Sequence, residues 1–139
     1  VVKETLVVIK QNKLSFDSIA FRGMSGALMA PIIAMKLRKS LLMTRKTDNS
    51  HSLYSVEGNL DAKTYLIIDD FIGTGQTVES IIKAIKGVDR LAKATCVGVL
   101  CYNYIMQIKK FESGTYQGKQ ELLNDLVSYP LELILPKNP

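Results

Sequence analysis

Residues 65–68, Tyr-Leu-Ile-Ile, form an apolar run with no polar alternation, the pattern of a parallel strand covered on both faces. Val78, Ile81, Ile82 and Ile85 then recur at i, i+3, i+4 and i+7, the single apolar stripe of a helix packed on a sheet. Between them the chain reads Asp69-Asp70-Phe71-Ile72-Gly73-Thr74-Gly75-Gln76-Thr77, so a strand's carboxyl end passes through a small loop into a helix's amino end. Residues 16–21 predict an earlier strand, followed by the loop Arg22-Gly23-Met24-Ser25-Gly26. Residues 27–37 form an apolar helix in which Pro31 favours the first turn of a shorter helix. Residues 40–43 predict a strand that delivers Thr44, Arg45 and Lys46 to its carboxyl end, and residues 94–100 another buried strand. Gly87 is expected to stop the preceding helix as a C′ residue would. Residues 3–13 read as a helix, with a strand as the alternative. Residues 47–60 are rich in Asp, Asn, Ser and Gly, show no core periodicity and read as a mobile loop. Further on, a helix is expected at 117–126 and a final strand at 131–135, between Pro130 and Pro136.

Strands alternating with helices predict an α/β fold: a single domain over residues 1–139, with a mostly parallel twisted sheet flanked by helices on both faces. Such sheets bind ligands beyond the carboxyl ends of their strands. A helix amino end there offers N–H groups and a positive dipole end, which favour an anion, above all a phosphate. Gly73 and Gly75 let the backbone approach closely, and Thr74 and Thr77 add hydroxyl donors. Asp69 and Asp70 can accept hydrogen bonds from sugar hydroxyls or hold the water shell of a magnesium ion. Successive strand residues point to opposite faces, so both acids serve one ligand only if the strand has already ended. The loop is not a P-loop, since Gly-x4-Gly-Lys-Ser/Thr is absent. Nor is it a dinucleotide fingerprint, since Val78 stands where the third glycine belongs.

Asp-Asp-Phe-Ile-Gly-Thr-Gly-Gln-Thr after a hydrophobic strand resembles the signature of the type I phosphoribosyltransferases. The resemblance implies that Asp69 and Asp70 lie along the ribose of phosphoribosyl pyrophosphate and that Gly73, Thr74, Gly75, Gln76 and Thr77 hold its 5′-phosphate. It assigns pyrophosphate to the backbone around Arg22, Gly23, Met24 and Ser25, and charge balance to Arg45 and Lys46, which open a mobile loop that closes over the substrate. His51, the chain's one histidine, lies in that loop and would touch pyrophosphate or assist its departure. Tyr102 and Tyr104 fall near the base, and residues 104–139 with the N-terminal helix would supply the base-side cap. The implied activity is a magnesium-dependent pentosyltransferase of nucleotide salvage: a nucleobase takes the phosphoribosyl group, pyrophosphate leaves, and the enzyme is a homodimer. The 6-oxopurine branch of the family carries an aspartate where this chain has Gly73, which favours an adenine- or orotate-like acceptor. The rival reading is a non-catalytic regulator of the same fold that binds phosphoribosyl pyrophosphate or a nucleotide.

Composition narrows this further. A chain of 139 residues with 47% hydrophobic residues and mean hydropathy +0.10 suits one globular domain. No apolar run reaches the ~20 residues that span a membrane. The formal charge of +5 suits anionic ligands, whereas Lys and Arg are too scattered to call for nucleic acid. Cys96 and Cys101, five apart in one apolar run, are expected on opposite faces of a strand and unpaired, as in a reducing cytoplasm.

Overall fold

A computed structural model of the chain describes residues 1–45, 56–70, 75–102, 105–111 and 127–130. In chain order these form α1 (Val2–Gln11), β1 (Ser18–Arg22), α2 (Gly23–Leu37), β2 (Ser40–Thr44), β3 (Val56–Gly58), β4 (Thr64–Asp69), α3 (Gln76–Lys86), a 3-10 turn (Asp89–Leu91), β5 (Thr95–Tyr102), β6 (Ile105–Lys110) and β7 (Val127–Pro130). The strands make one seven-stranded sheet in the order β3-β2-β1-β4-β5-β6-β7. Its centre, β2-β1-β4-β5, is parallel, and β3, β6 and β7 add antiparallel edges.

Burial follows the expected two-faced pattern. Tyr65 and Ile67 of β4 face one core with Val78, Ile81, Ile82 and Ile85 of α3, while Leu66 and Ile68 face the other with Val8 and Ile9 of α1 and Met29 and Ile33 of α2. Both sides of β4 must therefore be apolar, which is why it reads as an unbroken run. At the amino edge of the sheet the Asp17 carboxylate accepts hydrogen bonds from the N–H groups of Lys63 (2.8 Å) and Thr64 (3.3 Å) and from the Ser18 hydroxyl (2.8 Å). It thereby ties the start of β1 to the start of β4. No helix among the described residues is long and apolar enough to cross a membrane.

Several expectations need correction. The five-residue loop 22–26 is absent, because α2 begins at Gly23, immediately after the extended Arg22. Gly23, at φ 71°, makes the turn in a single residue, which a β-carbon would oppose. Gly26 is instead a helical residue, and a β-carbon there would lie 2.7 Å from Cβ of Phe21, so it lets α2 sit close on β1. Pro31 lies inside this 15-residue helix and does not open a shorter one. The helix ends differ in hand. Arg38 (φ 55°) closes α2, with its N–H on the Met35 carbonyl and that of Lys39 on the Ala34 carbonyl, a Schellman arrangement. Gly87 stops α3, as expected, in right-handed geometry at φ −72°.

The loop expected over 47–60 is cut short by β3, whose Val56, buried at 3% exposure, pairs with Thr44. Residues 46–55 lie outside the described residues. Cys96 and Cys101 share a face, against the expectation from their odd spacing. Tyr65 pairs with Cys96 but Leu66 pairs with Gly98, so Val97 is an extra residue on β5 and reverses the alternation beyond it. Both cysteines join the core under α3 as free thiols. Burial pushes the Cys96 thiol up to about 12. β6 and β7 were not expected at all, and the helix at 117–126 and strand at 131–135 fall outside the described residues.

Candidate functional site

The strand order reverses between β1 and β4. From β1 the chain crosses through α2 to β2 on one side, and from β4 it crosses through α3 to β5 on the other. The two carboxyl ends are thus adjacent while their connections diverge, and a crevice opens where open α/β sheets bind ligands. Both helix amino ends rise from that edge, each offering first-turn N–H groups that have no acceptor within the helix.

Asp69 ends β4 at 5% exposure, and Asp70 follows just past the strand, half-buried. The Asp70 N–H donates to Oδ1 of Asp69 at 2.9 Å, which orients the first carboxylate from the second residue's backbone. The strand has ended at Asp70, so the strict alternation that would send the two acids to opposite faces no longer applies. Across the sheet Asp69 is in register with Cys101, whose thiol is held well above its usual range by burial, then by Asp69 and Asp70. Tyr102, half-buried at the end of β5, has its phenol shifted upward by burial, then by Asp70 and Asp69. These directions agree on one point. The carboxylate pair, Cys101 and Tyr102 share a partly desolvated corner of the sheet edge, where an added cation or donor would be favoured.

On the α3 side, Gly75 is the N-cap residue with φ 81°, and its carbonyl accepts the Glu79 N–H at 3.0 Å. Gln76 and Thr77 form the first turn, with Gln76 exposed and Thr77 half-buried. On the α2 side, Arg22, Gly23, Met43, Thr44 and Arg45 line a cleft of about 340 Å³. Thr44 is buried, and its hydroxyl donates to the Phe21 carbonyl at 3.4 Å, holding the ends of β1 and β2 together. Arg45 is half-exposed and ion-paired with Glu57 of β3 at 2.5 Å. A surface pair of this kind contributes at most about 1 kcal/mol. The guanidinium is therefore held beside the cleft at little cost to its later exchange for another anion.

Of the expected site residues, the structure brings Arg22, Gly23, Thr44 and Arg45 to one cleft and Asp69, Asp70 and Tyr102 to one corner, with Gly75, Gln76 and Thr77 at the α3 amino end. The Met24 side chain is 76% exposed on the outer face of α2, so any anion contact from this residue is by its backbone. The side chain of Ser25 is not described, and Lys46, His51, Gly73, Thr74 and Tyr104 lie outside the described residues. Sequence reasoning missed Glu57 and Cys101. Val56-Glu57-Gly58 is too short to show period-two alternation, and the approach of Cys101 to Asp69 depends on the β4–β5 register.

Among the described residues no group of three or more His, Cys, Asp or Glu side chains gathers to cage a metal. The pair Asp69 and Asp70 nonetheless fits magnesium held through its waters, because that ion dehydrates reluctantly and is commonly bound by one or two carboxylates plus phosphate oxygens.

The fold has known relatives. Orotate phosphoribosyltransferase from Aeropyrum pernix matches with TM-score 0.54 at 16% identity, over 70% of this chain and 55% of that one. Orotate phosphoribosyltransferase from Francisella tularensis matches with TM-score 0.54 at 17% identity, over 70% of this chain and 47% of that one. The chain thus spans about half the length of these solved structures, and at such identity the likeness establishes the fold. No curated protein matches the sequence significantly. The model of the PRTase-CE family matches residues 3–123, most of the chain. The parallel centre, the crevice between β1 and β4 and the acid pair at the end of β4 thus sit in a chain that belongs to the PRTase-CE family, on the type I phosphoribosyltransferase fold.

Proposed function

We propose that this protein transfers the phosphoribosyl group of phosphoribosyl pyrophosphate to a nucleobase, adenine- or orotate-like, and releases pyrophosphate. The observation that carries the reading is the meeting of two helix amino ends and an adjacent carboxylate pair at the one place where the strand order reverses. A phosphorylated sugar with a second anionic group needs two anion sites flanking a hydroxyl-binding acid, and this edge supplies all three.

In this scheme the α3 amino end, through Gly75, Gln76 and Thr77, holds the 5′-phosphate, and Gly73 and Thr74 complete the loop. Asp69 and Asp70 accept hydrogen bonds from the ribose hydroxyls. The pyrophosphate lies in the cleft of Arg22, Gly23, Thr44 and Arg45, with the backbone of Met24 and Ser25 and with Lys46 and His51 adding to it. Magnesium, when bound through waters at Asp69 and Asp70, would neutralise part of the pyrophosphate charge. As the bond from the anomeric carbon to pyrophosphate lengthens, positive charge grows on the ribose and negative charge on the leaving group. The partly desolvated carboxylates favour the first and the arginines favour the second, so both interactions strengthen towards the transition state. Tyr102 stands beside the acid pair, where its ring suits the acceptor base, and Tyr104 follows two residues on. The family resemblance makes a homodimer and a cytoplasmic setting part of the same proposal.

The test is a panel of nucleobases supplied with magnesium and phosphoribosyl pyrophosphate, following pyrophosphate release. Native protein should turn over with adenine or orotate. Asp69→Asn with Asp70→Asn should lower turnover by a factor of about 10² or more while changing substrate affinity far less. Tight binding of phosphoribosyl pyrophosphate with no release from any base would move the assignment to a regulator that only binds.

A further inference from the structure

A groove of about 570 Å³ runs between the last turns of α1 and α2. Leu6 and Ile9 of α1, Leu14 just past it and Leu37 of α2 form its apolar lining, and Lys10, Lys13 and Lys36 stand round its mouth. α2 leaves β1 at the carboxyl edge of the sheet and reaches Leu37, ~21 Å along the helix, where β2 is about to begin. The groove therefore lies at the amino edge, at the other end of the sheet from the acid pair and the arginine cleft. The transfer proposed above makes no use of it.

Ile9 is buried, whereas Leu6, Leu14 and Leu37 are half-buried, packed on the core beneath α1 and α2 and still open to the groove. An apolar cavity of ~150 Å³ holds one benzene-sized group, so this groove has room for about three or four. The end of α1 is folded to shape it. The Lys13 N–H donates to the Lys10 carbonyl (3.1 Å) and the Leu14 N–H to the Ile9 carbonyl (3.3 Å). This puts Lys13, at φ 52°, in the left-handed place that usually takes glycine, brings Leu14 back beside Ile9 and leaves the Lys13 side chain exposed at the rim.

Lys10 and Lys36 occupy the last turns of their helices, where the dipole favours a cation. The dipole does not account for Lys13, which lies beyond the helix, or for the want of counter-charge. Among the described residues none of the three ammonium groups pairs with a carboxylate. Glu4 is engaged with the Val1 amino group, and Asp17 with the N–H groups of Lys63 and Thr64. The Lys110 ammonium, donating to the Asn12 carbonyl at 3.4 Å, brings one more positive charge to the same end of α1. Cations thus stand on both walls of an apolar trough, Lys10 on the α1 side and Lys36 on the α2 side. A ligand with a single headgroup would meet one wall. An apolar stripe with carboxylates along both flanks would meet both, and that is the surface of an acidic amphipathic helix.

We propose that this groove docks an acidic amphipathic helix of a partner protein, its apolar anchors against Leu6, Leu14 and Leu37 and its carboxylates against Lys10, Lys13 and Lys36. The docking is independent of the transferase reading, and its test needs no substrate. The probe is a fluorescently labelled peptide of about 18 residues, with leucine at i, i+3, i+4 and i+7 and glutamate on both flanks of that stripe. Anisotropy with the native chain should give a Kd of about 1–100 µM, weakened about tenfold or more between about 0.02 M and about 0.5 M salt.

Lys10→Gln, Lys13→Gln and Lys36→Gln combined change only exposed side chains, so circular dichroism should stay native while affinity falls about tenfold or more. Lys83→Gln, Lys86→Gln and Lys93→Gln combined remove the same charge on the α3 side of the sheet and should leave affinity within about twofold. Equal losses in the two triple variants would trace the attraction to overall charge and overturn the proposal. So would the absence of binding at about 500 µM protein. Equal binding by a peptide with glutamine for glutamate, or by one with its leucines scattered round the helix, would overturn it too. A chain that ignores the peptide but binds phosphatidylserine vesicles through the three lysines would give the groove to a lipid surface instead.

Discussion

α2 and α3 both follow a parallel strand and both start at the sheet edge that carries the site, but they use their apolar residues differently. In α3 the apolar positions form one stripe, Val78, Ile81, Ile82 and Ile85, and each is buried. The rest of the helix is polar enough to face water, so the fold satisfies α3 completely. α2 buries Met29, Ala30, Ile33 and Ala34 and still exposes Met24, Leu28, Ile32 and Met35. Its sequence holds more apolar surface than one sheet face can cover. A helix whose hydrophobic residues equal its contacts is satisfied by its own sheet, and a helix with a surplus leaves an apolar face that no described residue covers.

The sharpest way to break the comparison is to truncate one apolar residue in each helix. Ile81→Ala removes a fully buried side chain and should cost roughly 2–5 kcal/mol in urea unfolding. Leu28→Ala, at a position 63% exposed, should stay within about 0.5 kcal/mol at concentrations where the chain is monomeric. Equal losses at the two sites would mean that the outer face of α2 is covered within a single chain.

The core beneath α3 carries both thiols, which makes it the pH-sensitive side. The Cys96 thiol is raised by burial from its ordinary 9.0 to about 12, so the folded chain keeps its proton where the unfolded chain has lost it. That contribution is complete below pH 9 and is lost as the pH rises from 9 towards 12. Stability measured by urea unfolding should fall through that window, and Cys96→Ala should flatten the fall. A native profile flat from pH 9 to 12 would show that the thiol is not held in an apolar site.

The two glycines at the start of α2 give smaller and different effects. A β-carbon at Gly26 would meet Cβ of Phe21 at 2.7 Å, so Gly26→Ala should cost about 1–3 kcal/mol by overpacking. Gly23→Ala meets nothing within 4 Å, but its φ of 71° penalises any β-carbon by roughly 1–2 kcal/mol. The readouts should separate the pair. Gly23 lines the cleft, so its replacement should also weaken pyrophosphate binding by calorimetry, whereas Gly26→Ala should act on unfolding alone.

Much of this molecule was already determined locally. A strand buried on both faces must be apolar throughout, and a helix covering a sheet must repeat its apolar residues every three to four positions, so β4 and α3 could be read directly. The change from apolar run to Asp69-Asp70 marked the carboxyl end of a strand, and with it the edge where a ligand belongs. Tertiary structure alone decided the features that depend on pairing between distant segments. β3 is three residues long and exists because Val56, Glu57 and Gly58 pair with β2. One extra residue, Val97, reversed the alternation along β5 and brought Cys96 and Cys101 to the same core, which no count of residues between them could foretell. The same register placed Cys101 beside Asp69. Sequence fixes how a segment's own side chains alternate, but the partner strand decides where that alternation slips, because backbone hydrogen bonds are made without regard to which side chains they carry.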